Sequence, residues 1–182
     1  MQDDGPSRVT MIAALALAVL AIGAVLVVAA TRRTPETPVA IAAVPAPQAE
    51  SAECRALIAT LPEKLGGFSR ATAAEPVPAG TAAWKNPSPG SEPVILRCGL
   101  DRPAEFVVGT PLQMVDDVQW FRLTDGNSGD PDAQRSTWVS VDRPVYVALT
   151  LPAGSGPSPI QTLSKVIART MPAMPIRPAP AG

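Results

Sequence analysis

The chain has 182 residues, a formal net charge of -1, 22 prolines, two cysteines and no histidine. Without histidine it can form neither a Ser-His-Asp or Cys-His catalytic site nor a histidine-ligated metal site. Because the net charge is close to zero, the sequence lacks the basic surface that nucleic-acid binding requires, and we expect no nucleic acid as a partner. The length allows one domain of ordinary size.

An apolar run near the N-terminus predicts a transmembrane helix over residues 11–30. The run contains no charged or strongly polar side chain, and about 20 residues at 1.5 Å each span the hydrocarbon core of a bilayer. A cleaved secretory signal is the alternative, but the run exceeds the roughly 7 to 15 residues of a signal's apolar region. We therefore predict an uncleaved anchor. A further possibility is that small residues such as Ala16 and Gly23 pack against a partner helix.

The orientation of this helix is predicted from what flanks it. Arg8 precedes the run, and Arg32 and Arg33 follow it, which by the positive-inside rule favours a cytoplasmic C-terminal side. However, the N-terminal tail, residues 1–10, is short, and the two cysteines suit an oxidising compartment. We predict a single-pass protein of the cell membrane with a cytoplasmic tail and an extracytoplasmic C-terminal part.

Two proline-rich segments delimit the predicted folded domain. Residues 31–49 carry four prolines and few large side chains, so they are predicted to form an extended spacer. Residues 171–182 also carry four prolines and are predicted to be a disordered tail. The extracytoplasmic domain is therefore assigned to residues 50–170.

The domain is predicted to be α+β, with a small, mostly antiparallel sheet and two packed helices. Apolar residues at helical spacing predict helices over residues 51–61 and 158–170. Ser51 is the expected N-cap of the first helix, and Ser158 that of the second, with Gln161 as its capping-box partner. Strands are predicted over the β-branched or alternating runs 94–98, 105–108, 118–123, 137–141 and 145–151.

The alternation in the last two predicted strands suggests how they pair. A three-residue loop over residues 142–144 would place Val139 and Val147 on one face, and Trp138 and Tyr146 on the other. Pro144 does not suit the last position of such a loop, so pairing through another turn stays open.

Cys54 and Cys98 are predicted to form a disulfide, because their number is even and each lies at an inward-facing position of a predicted element. The alternative is a pair of free or metal-binding thiols, although the close CxxC spacing of redox and zinc motifs is lacking.

Several short motifs resemble a known family. They are the Cys-Arg-Ala-Leu of residues 54–57 with Leu-Pro at 61–62, the Ala-Ala-Trp of residues 82–84, and the segments at residues 93–100, 115–120 and 143–147. Together they resemble the actinobacterial family catalogued as domain of unknown function 3515. The resemblance implies a small membrane-anchored envelope protein and carries no catalytic residue. The two cysteines match the family pattern.

Candidate partner-binding residues are the adjacent carboxylates Asp116 and Asp117 and the aromatics Trp120, Trp138 and Tyr146. Neighbours on a strand point to opposite faces, so the two carboxylates are poorly placed as an acid and base pair. Trp138 and Tyr146 are expected on the face opposite Val139, which is either covered by a helix or exposed as a patch for a glycan or protein partner.

These features favour a non-enzymatic binding or accessory protein of the cell envelope. The expected partners are the membrane and an envelope protein or wall polymer, and no cofactor or metal is predicted. The alternative is a carboxylate-dependent hydrolase of wall glycans that uses Asp116 or Asp117.

Overall fold

The computed structural model describes residues 8–31, 37–88, 90–124 and 134–181. The chain divides into two compact units, residues 1–36 and 37–182. The first unit contains helix α1, Arg8–Thr31, which is long and apolar enough to cross a membrane or to act as a signal sequence. Most of the predicted cytoplasmic tail, residues 1–7, and residues 32–36 of the predicted spacer lie outside the described residues.

The second unit confirms the α+β prediction. Its helices are α2, Ala52–Thr60, and α3, Ser158–Thr170. Its strands are β1 (Lys64–Leu65), β2 (Phe68–Ala71), β3 (Thr81–Lys85), β4 (Val94–Leu100), β5 (Gln113–Val115), β6 (Val118–Thr124), β7 (Ser136–Ser140) and β8 (Tyr146–Leu151).

The described strands form one antiparallel sheet of order β1-β2-β3-β4-β8-β7-β6-β5. The order consists of two consecutive four-stranded meanders that meet where β4 pairs with β8. Helix α3 contacts β1 at one end of the sheet and β5 and β6 at the other. The sheet therefore curves around α3, and we call the face towards the helices the inner face.

Local sequence explains where the two helices begin. Ser51 caps α2, because its Oγ accepts a hydrogen bond from the Cys54 backbone N–H at 3.2 Å. Helix α3 starts after Pro157 and carries Pro159 in its first turn, where no intrahelical N–H is needed. The predicted apolar stripe of α3 is buried against the inner face of the sheet.

The main core lies between the inner face and the two helices. It includes Trp84, Trp120 and Leu149, which are fully buried, and Trp138, which is 8% exposed. The disulfide between Cys54 of α2 and Cys98 of β4, with Cα atoms 5.6 Å apart, joins one helix to the central strand of this core.

The predicted spacer is not a free linker over its second half. Residues 37–49, which we call the N-terminal strap, lie on the outer face of the first meander. Val39 donates to Thr72 O and accepts from Ala74 N, each at 2.8 Å, and it is buried with Ile41 against Ala83 and Ile95. The folded unit therefore starts at residue 37 instead of residue 50.

The prediction of a disordered C-terminal tail is wrong for the described residues. Residues 171–181, the C-terminal strap, begin with buried Met171 and continue with Met174, whose N–H donates to Asp142 O at 2.8 Å. The Ala179 N–H then donates to Phe106 O at 2.9 Å, and Ala179 O accepts from the Val108 N–H at 2.8 Å. Prolines do not prevent this, because Ala179 supplies the N–H that its proline neighbours lack.

The predicted strand at residues 105–108 is also wrong. Within it only Val107 forms a β-bridge, and its partner is Ala179 of the C-terminal strap. Phe106 anchors this segment on the outer face of the second meander, where its ring centroid lies 5.8 Å from that of Phe121.

The last hairpin has another register than the three-residue loop requires. Trp138 pairs with Leu149, and Ser140 pairs with Val147, so six residues, 141–146, lie between the last paired residues. Trp138 consequently shares the inner face with Val147, whereas Tyr146 lies on the outer face. The prediction that Trp138 and Tyr146 share a face is therefore wrong.

Candidate functional site

A groove of about 780 Å³ lies at one end of the inner face. It lies where β5, β6 and β7 extend past the N-terminus of α3. We call it the inner groove, and its lining residues are Gln113, Met114, Val115, Asp116, Arg122, Gln134, Ser136, Trp138, Leu151, Pro152, Gly154, Ser155, Gly156, Pro157, Ile160 and Gln161.

An arginine stacked on a tryptophan forms one wall of the inner groove. Arg122 of β6 and Trp138 of β7 are directly paired in the sheet, and the guanidinium Cζ lies 4.9 Å from the indole centroid. The indole Nε1–H donates to Ser136 Oγ at 3.2 Å. A cation on an aromatic face contributes about 0.5–2 kcal/mol, so Trp138 fixes the plane of the guanidinium.

The β5–β6 turn contributes the carboxylate of the inner groove. Because Val115 pairs with Val118, Asp116 and Asp117 are the two residues of a tight hairpin turn. They were treated as neighbours on a strand, and the structure does not place them on one. Asp116 has φ +49°, a left-handed conformation that aspartate tolerates better than most residues. Asp116 lines the groove, whereas Asp117 is not among its lining residues.

A buried ion pair holds this turn in place. Arg143 and Asp142 lie 3.0 Å apart (Nη1 to Oδ2), and their side chains are almost fully buried. Arg143 Nη2 donates to Asp117 O at 2.6 Å, and Asp142 Oδ2 accepts from the Gln119 N–H at 3.0 Å. The loop between β7 and β8 therefore fixes both the turn that carries Asp116 and the start of β6.

The described lining residues of the inner groove include one of each charge. Among its described lining residues, Asp116 and Arg122 are the formally charged pair. Two other arginines of the sheet are half-buried: burial lowers the pKa of Arg70, against an opposing effect of Glu63, and burial with the nearby Arg135 lowers the pKa of Arg97. Neither Arg70 nor Arg97 is a lining residue.

The structure brings together two of the five candidate binding residues, Asp116 and Trp138. Trp120 is fully buried and donates from Nε1 to Ser164 Oγ of α3 at 3.0 Å, which is a packing role. Tyr146 packs on the outer face beside Phe121. Whether any of the five contacts a partner stays a prediction.

Sequence reasoning missed Arg122 and the glutamines of the inner groove, Gln113, Gln134 and Gln161. The only signal for Arg122 was its position one residue before the end of the predicted strand 118–123. Gln161 was considered only as a capping residue, and Gln113 and Gln134 carry no motif. Within the described residues, no cluster of three or more metal-ligating side chains occurs.

Comparison with known proteins identifies the family. The family model described as a protein of unknown function (DUF3515) matches residues 15–176. The chain belongs to this family. The match begins inside α1 and ends inside the C-terminal strap, so the family model spans both meanders and the whole inner groove. No curated protein and no solved structure matches the chain.

The family description assigns no activity. Any role for the DUF3515 unit in this chain must therefore be argued from the inner groove, from the disulfide and from the apolar helix.

Proposed function

We propose that the protein is a single-pass, membrane-anchored binding or accessory module of the cell envelope, without enzymatic activity, and that the inner groove is its binding site. The observation that carries this proposal is the groove itself: a cavity of about 780 Å³ with an ordered Arg122–Trp138 wall. Cavities of roughly 300–1,000 Å³ with a few placed polar groups are typical of ligand sites.

Two features support an extracytoplasmic placement. The disulfide between Cys54 and Cys98 is fully buried, and such bonds persist mainly in oxidising compartments. The second feature is α1, which has no charged side chain over residues 11–30 and is exposed over Arg8–Val28. An intact N-terminus, detected by mass spectrometry of the membrane fraction, would support an anchor, whereas a mature protein that starts after α1 would show cleavage.

The geometry favours binding over hydrolysis by paired carboxylates. Such hydrolysis requires two carboxyl groups facing each other across one bond. Asp116 lines the inner groove, but Asp117 lies outside the lining, and its backbone carbonyl is held by Arg143. Asp116 is better placed to accept hydrogen bonds from a bound ligand than to share acid and base roles with its neighbour.

In vivo photocrosslinking of the full-length chain tests whether the groove is occupied. A photoreactive phenylalanine derivative is introduced in place of Met114, which lines the groove and is 64% exposed, or of Val44, which lies on the N-terminal strap and is 45% exposed. We expect a discrete adduct from position 114 that position 44 does not give. Identical adducts at both positions, or none at position 114, would refute the groove as a binding site.

A further inference from the structure

The composition of the inner groove indicates which chemical class of ligand it accepts. We propose that it binds a short segment of an uncharged, hydroxyl-rich chain, an oligosaccharide without acidic or basic groups. This inference rests on the proposed function, because it assigns the ligand of that same groove.

The first argument is charge. Asp116 and Arg122 cancel within the described lining. A polyanion would be attracted by the Arg122 guanidinium and repelled by the Asp116 carboxylate. A polycation would be attracted by Asp116 and repelled by Arg122. Since like-charge contacts oppose binding as strongly as unlike contacts favour it, neither class gains net electrostatic attraction. An uncharged ligand meets no such opposition.

The second argument is hydrogen bonding. Three glutamines line the groove, one from β5 (Gln113), one two residues before the start of β7 (Gln134) and one from the first turn of α3 (Gln161). Each amide carries both donors and acceptors, and sugar hydroxyls likewise donate and accept. A purely apolar ligand would strip water from the exposed amides of Gln113 and Gln161 without replacing its hydrogen bonds, which is unfavourable. The amides therefore select for a polar, uncharged partner.

The third argument is shape. Apolar side chains of β8 (Leu151), of the β8–α3 connection (Pro152, Pro157) and of α3 (Ile160) lie in the same lining as the amides. A sugar ring presents a C–H face and a rim of hydroxyls, so one ring contacts both kinds of surface. Gln113 and Gln161 stand on two different elements, β5 and α3, so a chain that lies in the groove can bond to both of them.

Trp138 has a positioning role in this arrangement. Its indole is 8% exposed, and one face is covered by the Arg122 guanidinium. Direct stacking of a sugar on this ring is therefore not part of the proposal. The amides, and not the aromatic ring, are the residues whose removal tests it.

The test measures binding of defined hexasaccharides to the full-length chain in nanodiscs by isothermal titration calorimetry. The uncharged probes are N-acetylchitohexaose, maltohexaose and mannohexaose. The charged controls are the de-N-acetylated, cationic chitosan hexamer and the anionic hexagalacturonate. We expect at least one uncharged hexamer to bind at least tenfold more tightly than either charged one, with an affinity that changes little between low and moderate salt.

Paired variants locate the binding. Loss of two hydrogen bonds in Gln113→Ala/Gln161→Ala should weaken the uncharged hexamer about tenfold or more, with the melting temperature unchanged because both side chains are exposed. Gln48→Ala, at an exposed glutamine outside the lining, should bind like the wild type. Undiminished binding by the double variant would overturn the assignment to the groove.

The outcomes separate this inference from the proposed function. If no uncharged hexamer binds, or if a charged hexamer binds as well, while position 114 still gives its specific adduct, the ligand class is wrong and the groove remains a binding site. If position 114 gives no specific adduct and no hexamer binds, both proposals fail.

Discussion

Gly99→Ala tests whether the N-terminal strap belongs to the folded unit. Gly99 lies at the irregularity between β4 and β8, with φ +86°. Its carbonyl accepts a hydrogen bond from Gln48 N at 3.0 Å. A Cβ at this position would lie 2.2 Å from Gln48 C and 2.3 Å from Ala49 N. Both are backbone atoms, so they cannot move aside as a flexible side chain would.

The size of the effect follows from two contributions. Forcing alanine into a left-handed conformation costs about 1–2 kcal/mol. Relieving the overlap requires the strap to shift by about 1 Å, since van der Waals contact begins near 3.4 Å, and the Gln48–Gly99 hydrogen bond, worth about 1 kcal/mol, is then lost. With the packing that the shift disturbs, we expect a total loss of about 3–5 kcal/mol.

Gly109→Ala is the matched control. Gly109 has a similar φ of +92°, but nothing lies within 4 Å of its Cβ position. It should lose only the conformational contribution of about 1–2 kcal/mol. The difference between the two variants therefore measures the contact with the strap alone.

Thermal and urea unfolding of the full-length chain provide the measurement. For a unit of about 145 residues, each kcal/mol corresponds to roughly 3–4 °C in Tm, so Gly99→Ala should melt several degrees below Gly109→Ala. Equal losses in the two variants would refute the reasoning, because they would show that residues 48–49 do not pack on β4.

Three further predictions concern the disulfide, the ion pair and catalysis. Replacing Cys54 and Cys98 by serine removes a loop constraint of about 45 residues and should cost about 4 kcal/mol in urea unfolding; native thiols that react with a labelling reagent would contradict the disulfide. Asp142→Asn leaves a buried guanidinium without its counter-charge and should cost about 3–5 kcal/mol; a loss below about 1 kcal/mol would show that water solvates the pair. Neither the wild type nor Asp116→Asn/Asp117→Asn should release soluble fragments from wall polymers. Release by the wild type that the double variant abolishes would favour the hydrolase.

Much of the fold was predictable where one short segment carries a complete signal. Helix α3 has its first-turn proline and its apolar stripe within 13 residues and is observed over Ser158–Thr170, but its N-cap is Pro157 and not the predicted Ser158. The N-cap of α2 and strands β4, β6, β7 and β8 were also predicted. Strands β1, β2, β3 and β5 were missed because they have two to five residues and contain polar or small side chains. Their pairing partners, and not their own composition, make them strands.

The two straps were misassigned for a related reason. Proline content and small side chains indicated that the segments could not fold alone. Val39 and Ile41 nevertheless suffice, because the patch that they cover is shallow and is built from small residues such as Ala83. A segment that cannot form its own core can still complete that of its neighbour.

The inner groove could be predicted only in part. Asp116 and Trp138 were candidates from the sequence. The structure places Asp116 in a hairpin turn and Trp138 on the inner face of the sheet, and neither position was expected. The groove forms because β5 and the N-terminus of α3, which are about 45 residues apart in the chain, lie close together in the fold. No local pattern encodes that meeting, since it follows from the two-meander topology and the curvature of the sheet around α3.

Comparison of the two meanders shows what distinguishes the groove. Each meander pairs an arginine of its second strand with a tryptophan of its third: Arg70 on Trp84 at 4.8 Å, and Arg122 on Trp138 at 4.9 Å. Trp84 is fully buried, and its Nε1–H donates to Pro62 O at 2.9 Å, so the chain that follows α2 covers it.

The first pair is therefore a packing unit, and the second repeats its geometry at the edge of a cavity. The arginine–tryptophan pair alone thus does not make a binding site. What the second meander adds is the space beside the pair, bordered by the glutamines of β5 and α3. Recognition in this protein should accordingly depend on those amides more than on its aromatic residues.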